Sequence, residues 1–254
     1  MNFTRASSCR HVLAISAVAL PLVAAGTMLG ASGANGATAE LSRVPRSTTS
    51  PTALVAAVKK AMSAARSVHF EFNSTSSSGH EHVVADAGAK TGRQSITFGK
   101  ATANILVTTS DAYFDGNSSG LSTIFGMPKS DITKVGSKWV DVKSGTSQYT
   151  SLRSGAIESS LSTTLLPSSA ELTTAKVSKT SSAGIPVYRL VWTTTATSGK
   201  VTEMLLIDAR GSDLPITATA VEGKDNSLTS FSKWGESIKL SAPTSLIAFS
   251  KLTS

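Results

Sequence analysis

At Val68 the spacing of apolar residues changes from a helical period to a period of two, and it keeps that period through most of the chain. Val68, Phe70 and Phe72 alternate with His69, Glu71 and Asn73. A strict alternation places one apolar face against a core and one polar face in water, the signature of a half-buried strand. Further strands are expected over 80–87, 92–98, 101–108 and 112–115. The separators Ser78-Gly79, Ala89-Lys90, Gly99-Lys100 and Ser110-Asp111 are too short for crossover helices. Short turns between alternating segments dictate antiparallel neighbours.

The same logic organises the rest. Before the switch, Leu54, Val55, Val58, Ala61, Met62 and Ala65 share one face of a helix that Thr52 can cap and that runs to about Arg66. Residues 117–133 are rich in Gly and Ser and read as a short helix or flap around Leu121, Ile124, Phe125 and Met127. Residues 138–142 form a short strand. Residues 147–166 read as one or two helices on Leu152, Ile157, Leu161, Leu165 and Leu166, stopped by Pro167. Strands are expected again from about Glu171, then around Tyr188, Leu190 and Trp192, and over 201–209, 214–221, 228–233 and 237–240. On residues 204–207 the two faces are ambiguous, because Met204 and Leu206 are as apolar as Leu205 and Ile207. The layout is helix, strand meander, helices, strand meander, without a repeat of fixed period.

The first 39 residues read as a signal peptide. Arg5, Arg10 and His11 precede an apolar run over 12–25, and Ala37-Thr38-Ala39 or Ser32-Gly33-Ala34 supplies a small-residue cleavage pattern. Pro21, Gly26, Gly30 and Gly33 interrupt the run and argue against a stable membrane span. Residues 40–51, mixing Pro, Ser, Thr and Arg, read as a flexible stalk, and 52–254 as one domain. The single cysteine, Cys9, precedes the apolar run. The mature chain therefore has neither a disulfide nor a thiol nucleophile.

Charge narrows the function. Losing Arg5 and Arg10 with the leader takes two charges off a formal +8, and the remaining positives are scattered, with Lys59-Lys60 the one adjacent pair. Nucleic-acid binding needs a concentrated basic stripe, so no nucleic-acid partner is expected. Charged residues make up only 16% of the chain while Ser and Thr recur throughout, which suits strands with hydroxyl-bearing faces in an exported protein.

Catalytic constellations are weak. His80-Glu81-His82 puts two imidazoles on one strand face, short of the three or four ligands of a closed zinc site, and Val84 breaks the H-E-x-x-H pattern. Ser230-Phe231-Ser232-Lys233 and Lys90-Thr91-Gly92 match S-x-x-K and K-T-G, but in reversed order and without S-D-N. No phosphate-binding or nucleophile-elbow motif stands in the sequence. The chain reads as a non-enzyme, with no catalytic residue, cofactor or metal.

Short motifs in a fixed order carry a resemblance. They are Ser67-Val68-His69-Phe70, Ala112-Tyr113-Phe114-Asp115-Gly116, Lys138-Trp139-Val140, Leu206-Ile207-Asp208-Ala209-Arg210-Gly211, Leu214-Pro215-Ile216, Phe231-Ser232-Lys233-Trp234-Gly235-Glu236 and Ala242-Pro243. Together they resemble the mycobacterial LppX/LprG lipoprotein family, itself similar to the lipoprotein carrier LolA. The likeness spans about Thr52 to Pro243.

That resemblance implies an α+β half-barrel, one strongly curved antiparallel sheet with helices on its concave side enclosing an apolar cavity. It also implies an exported protein, secreted or in the cell envelope, that binds or ferries a lipid or other acylated envelope molecule. A membrane protein that loads or receives the ligand would be a further partner, and the expected state is a monomer. The lipobox cysteine of the family is missing, so no acyl anchor is expected. The cavity lining then expected is Phe70, Phe72, Phe98, Ile105, Val107, Phe114, Leu190, Trp192, Leu205 and Ile207 on the strands, with Leu161 and Leu165 on the helices. A lid is expected from Leu121, Ile124, Phe125 and Met127. The alternative reading is a cell-envelope sensor or protein-interaction module on the same fold.

Overall fold

The computed structural model describes residues 49–196 and 199–252. The leader, both candidate cleavage sites and the stalk as far as residue 48 lie outside the described residues. Among those described, no helix is long and apolar enough to cross a membrane.

Helix α1 (Pro51–Ala65) buries Leu54, Val58 and Met62, one stripe of the expected face. Its cap is Ser50 rather than Thr52. The Ser50 hydroxyl accepts from the Ala53 amide at 3.2 Å, and Pro51 takes the first helical position, where a missing N–H costs nothing. Arg66 ends the helix in the left-handed conformation, φ 64°, its amide donating to the Met62 carbonyl.

The first meander follows: β1 (Ser67–Ser76), β2 (Gly79–Gly88), β3 (Gly92–Phe98), β4 (Ala101–Val107), β5 (Asp111–Gly116) and β6 (Trp139–Lys143). Between β5 and β6 lie α2 (Ser118–Thr123) and α3 (Lys129–Val135). After β6 come α4 (Ser147–Ala156), α5 (Glu158–Leu165) and α6 (Ser169–Leu172). The segment expected as one or two helices is two, because Ile157 adopts an extended conformation and bridges to Gly88. Glu171, expected to open a strand, instead lies in α6. Ser168 and Glu171 form a reciprocal capping box there.

The second meander is β7 (Lys176–Ser182), β8 (Ile185–Ala196), β9 (Gly199–Asp208), β10 (Pro215–Glu222) and β11 (Asp225–Ser232). It docks on the first through antiparallel pairing of β11 with β1, Phe231 opposite Phe70. With β12 (Leu246–Ala248) added, the result is one open sheet ordered β12-β6-β5-β4-β3-β2-β1-β11-β10-β9-β8-β7. Every strand pairing in it is antiparallel except the one at the β6 edge. Strand β12 lies parallel to β6 there.

That final pairing explains a correction. Residues 237–240, expected as a strand, belong to no ladder. After β11 the chain must pass from the middle of the sheet to its β6 edge, so 233–245 form an extended strap. The strap is held at its start by the Gly235 amide donating to the Ser67 carbonyl (3.0 Å) and the Ser67 hydroxyl donating to the Glu236 carbonyl (2.6 Å). Trp234 anchors it further, its indole N–H donating to the Pro215 carbonyl at 3.0 Å.

Candidate functional site

The register places one residue of each strand's inward set beside the next. Phe70 stands between Ala85 and Phe231, and Phe72 between Val83 and Thr229. Ile105 faces Phe114, which faces Val140. Leu190 pairs with Leu205, and Leu205 with Ala218. The alternation read from sequence therefore resolves into a single apolar face running across the sheet. The ambiguity on β9 resolves too: Leu205 and Ile207 are fully buried, whereas Met204 and Leu206 are half-buried on the other face.

Of the residues expected to line a cavity, all but Phe98 belong to one contiguous buried cluster, with Leu161 and Leu165 contributed by α5. Phe98 is half-buried at the end of β3, beside Gly79. Leu121, Ile124 and Met127 are buried in the same cluster, and Phe125 packs against it with its ring 4.2 Å from that of Phe114.

Helices cover this face through backbone contact. A Cβ on Gly92 would collide with the carbonyl of Ala156, and the Gln94 amide donates to the Gly155 carbonyl, so the last turn of α4 lies directly on β3. Gly120 brings α2 equally close to the backbone of β4 at Thr102. Alanines stand at inward positions across the sheet, among them Ala85, Ala103, Ala112, Ala218 and Ala220. Beside the aromatic rings they give the face depth.

Sequence reasoning missed the polar residues on the same face. Thr194, Glu203, Glu222, Ser227 and Thr229 are all buried. The Thr194 hydroxyl donates to Glu203 Oε1 at 3.3 Å. Burial, reinforced by the charge of Glu171, pushes the Glu203 carboxyl up to about 7 despite that hydrogen bond. Glu158, in the first turn of α5, is likewise raised by burial. The signal was present in the alternation: Glu203 shares the parity of Leu205 and Ile207, and Ser227 and Thr229 that of Phe231.

The opposite face is polar. His69 Nδ1 lies 2.7 Å from Asp86 Oδ1, and Arg93 Nε donates to Asp86 Oδ2 at 2.6 Å. Burial pushes the Asp86 carboxyl up, but the bonds to His69 and Arg93 outweigh it and hold the group below the usual range. Two hollows flank this cluster. One of about 180 Å³ is bounded by the strap at Glu236–Lys239, and the other, of about 360 Å³, reaches Leu106 and Trp139. His80 and His82 are tied to Thr75 and Asn73. Among the described residues no three acidic, His or Cys side chains are grouped to hold a metal ion.

No family model matches the sequence, and no curated protein sequence matches it. Solved structures do match. LprF from Mycobacterium bovis superposes with a TM-score of 0.50 at 14% identity, covering 76% of this chain and 96% of LprF. The chain shares the fold of LprF. Mycobacterium tuberculosis LppX, a lipoprotein, matches with a TM-score of 0.46 at 15% identity, over 75% of this chain and 99% of LppX. The likeness to LprF bears out, at the level of fold, the α+β half-barrel that the sequence motifs implied.

Proposed function

We propose that this chain is an exported, non-covalent binding protein that holds the acyl part of a lipid or other acylated envelope molecule between the inner face of its sheet and the covering helices. The observation that carries the reading is the continuous inner face, from Val140 on β6 to Leu190 on β8, apolar along most of its rows and covered by α1 and a set of shorter helices. Transfer of an acyl chain from water to such a face gains about 0.8 kcal/mol per CH₂, so a dozen methylenes supply on the order of 10 kcal/mol without any covalent step.

In this reading Phe70, Phe72, Ile105, Phe114, Leu190, Trp192 and Leu205 contact the chain. Leu121, Ile124, Phe125 and Met127, carried by α2 and the turn after it, form the lid that admits it. A membrane protein that loads or receives the ligand completes the transport role. Support comes from the shared LprF fold and from the absence of any need for a catalytic group.

The test is titration of the detergent-free protein with a fluorescent fatty acid whose emission rises in apolar surroundings. Saturable enhancement, reversed by an unlabelled diacyl lipid, is the expected result. A flat titration would instead favour the sensor or protein-interaction reading.

A further inference from the structure

One end of the inner face departs from the apolar pattern in consecutive rows. The row through Trp192 continues through Glu203, Ala220, Ser227, Ser74 and Glu81, and one step further out Thr194 pairs with Val201 and Glu222 with Asp225. Thr229 stands one step inward, between Ala218 and Phe72. Thr229 and Ser227 are 0% and 3% exposed, and neither hydroxyl has a hydrogen-bond partner. A buried hydroxyl without a partner is costly, and a ligand group that bonds to it recovers that cost.

The chemistry of these rows is one-sided. The chain as a whole is basic, at +8. Yet the two rows carry Glu203, Glu222, Asp225 and Glu81 and no Lys, Arg or His, while Glu171 on α6 adds its charge to the potential at Glu203. Carboxylates only accept, so what fits them is a donor, and a charged donor offsets the cost of burying them. Strands are about 4.8 Å apart, so Glu203 and Ser227 flank the small Ala220 at roughly 10 Å, wide enough for a head group rather than a bare proton.

Resting on the acyl-carrier reading above, we propose that this polar end receives the protonated primary amine of a long-chain amphiphile, the chemistry of an aminolipid. Glu203 and Glu222 take the charge, and Ser227 and Thr229 fill the remaining hydrogen bonds. The alkyl chain runs from there along the apolar rows toward Phe70 and Leu205.

Calorimetric titration at pH 8 with dodecylamine, dodecanol, dodecanoate and butylamine tests this. Dodecylamine should bind at least about 10-fold more tightly than dodecanol, as expected for one charge-assisted hydrogen bond. Dodecanoate should bind weakest and butylamine not measurably. Glu203→Gln should remove about 10-fold of the amine's affinity and shift dodecanol's by much less, and Glu222→Gln should act in the same direction. Equal affinities for the three twelve-carbon probes would overturn the amine assignment while leaving the acyl carrier standing, as would an amine preference that survives both substitutions. Butylamine binding as tightly as dodecylamine would overturn the amphiphile and point to a free amine. Failure of every twelve-carbon probe to bind would overturn the carrier reading, and the amine assignment with it.

Discussion

Glu203 concentrates the tension between fold and function in one side chain. It occupies a position whose neighbours Leu205 and Ile207 are core residues, and burial together with the charge of Glu171 holds its carboxyl up at about 7 instead of the ordinary 4.5, against the lowering effect of the Thr194 hydrogen bond. The unfolded chain gives up this proton near 4.5, the folded chain only near 7. Stability contributed by the protonated group is therefore intact below about pH 4.5 and drains away as pH rises to about 7. Glu203→Gln, which cannot ionise, should gain relative to the native chain as pH rises, by about 3 kcal/mol between pH 4 and pH 8. Denaturant unfolding at both values measures the gap, and a gap independent of pH would show that the carboxyl ionises freely. Alternation told from sequence that Glu203 lies on the Leu205 face if that face is inward, but β9 is apolar on both sides. Met204 and Leu206 masked the choice until the register with β8 and β10 settled it.

Elements were legible where the period and the turn agreed. Strand β3 was read to the residue, because Gly92, Gln94 and Ile96 alternate cleanly between turn signals. Strand β7 was not, since its Lys, Ser and Thr side chains leave no apolar face at the sheet edge. The capping box of α6 was written in Ser168 and Glu171, but at four residues the helix has too little period to announce itself. The strap shows the reverse error: Ile238 and Leu240 alternate like a strand, and no neighbouring strand pairs with them. Two substitutions probe how elements are held. Arg66→Gly should raise stability by about 1 kcal/mol, because glycine adopts the left-handed cap without the Cβ conflict of arginine, and its thermal midpoint should rise accordingly. Gly92→Ala should cost about 1–3 kcal/mol by forcing α4 off β3, and a variant as stable as the parent would mean that the helix does not seat there.

At the scale of the whole molecule, two meanders share one sheet because β1, the first strand, pairs with β11 and so becomes its middle. No local pattern encodes that pairing. It follows from which faces must be buried together, and Phe70 and Phe231, with ring centroids 6.5 Å apart, meet at the seam. The sheet stays open, with an edge at β7 and another at β12, and short helices close its inner face. The central claim is most directly tested by native mass spectrometry of the mature domain purified without detergent from a host with a lipid-rich envelope, followed by extraction of whatever is bound. The account predicts a discrete adduct that dissociates into an acylated molecule. A clean mass of the chain alone, unchanged after incubation with envelope lipid extract, would contradict it.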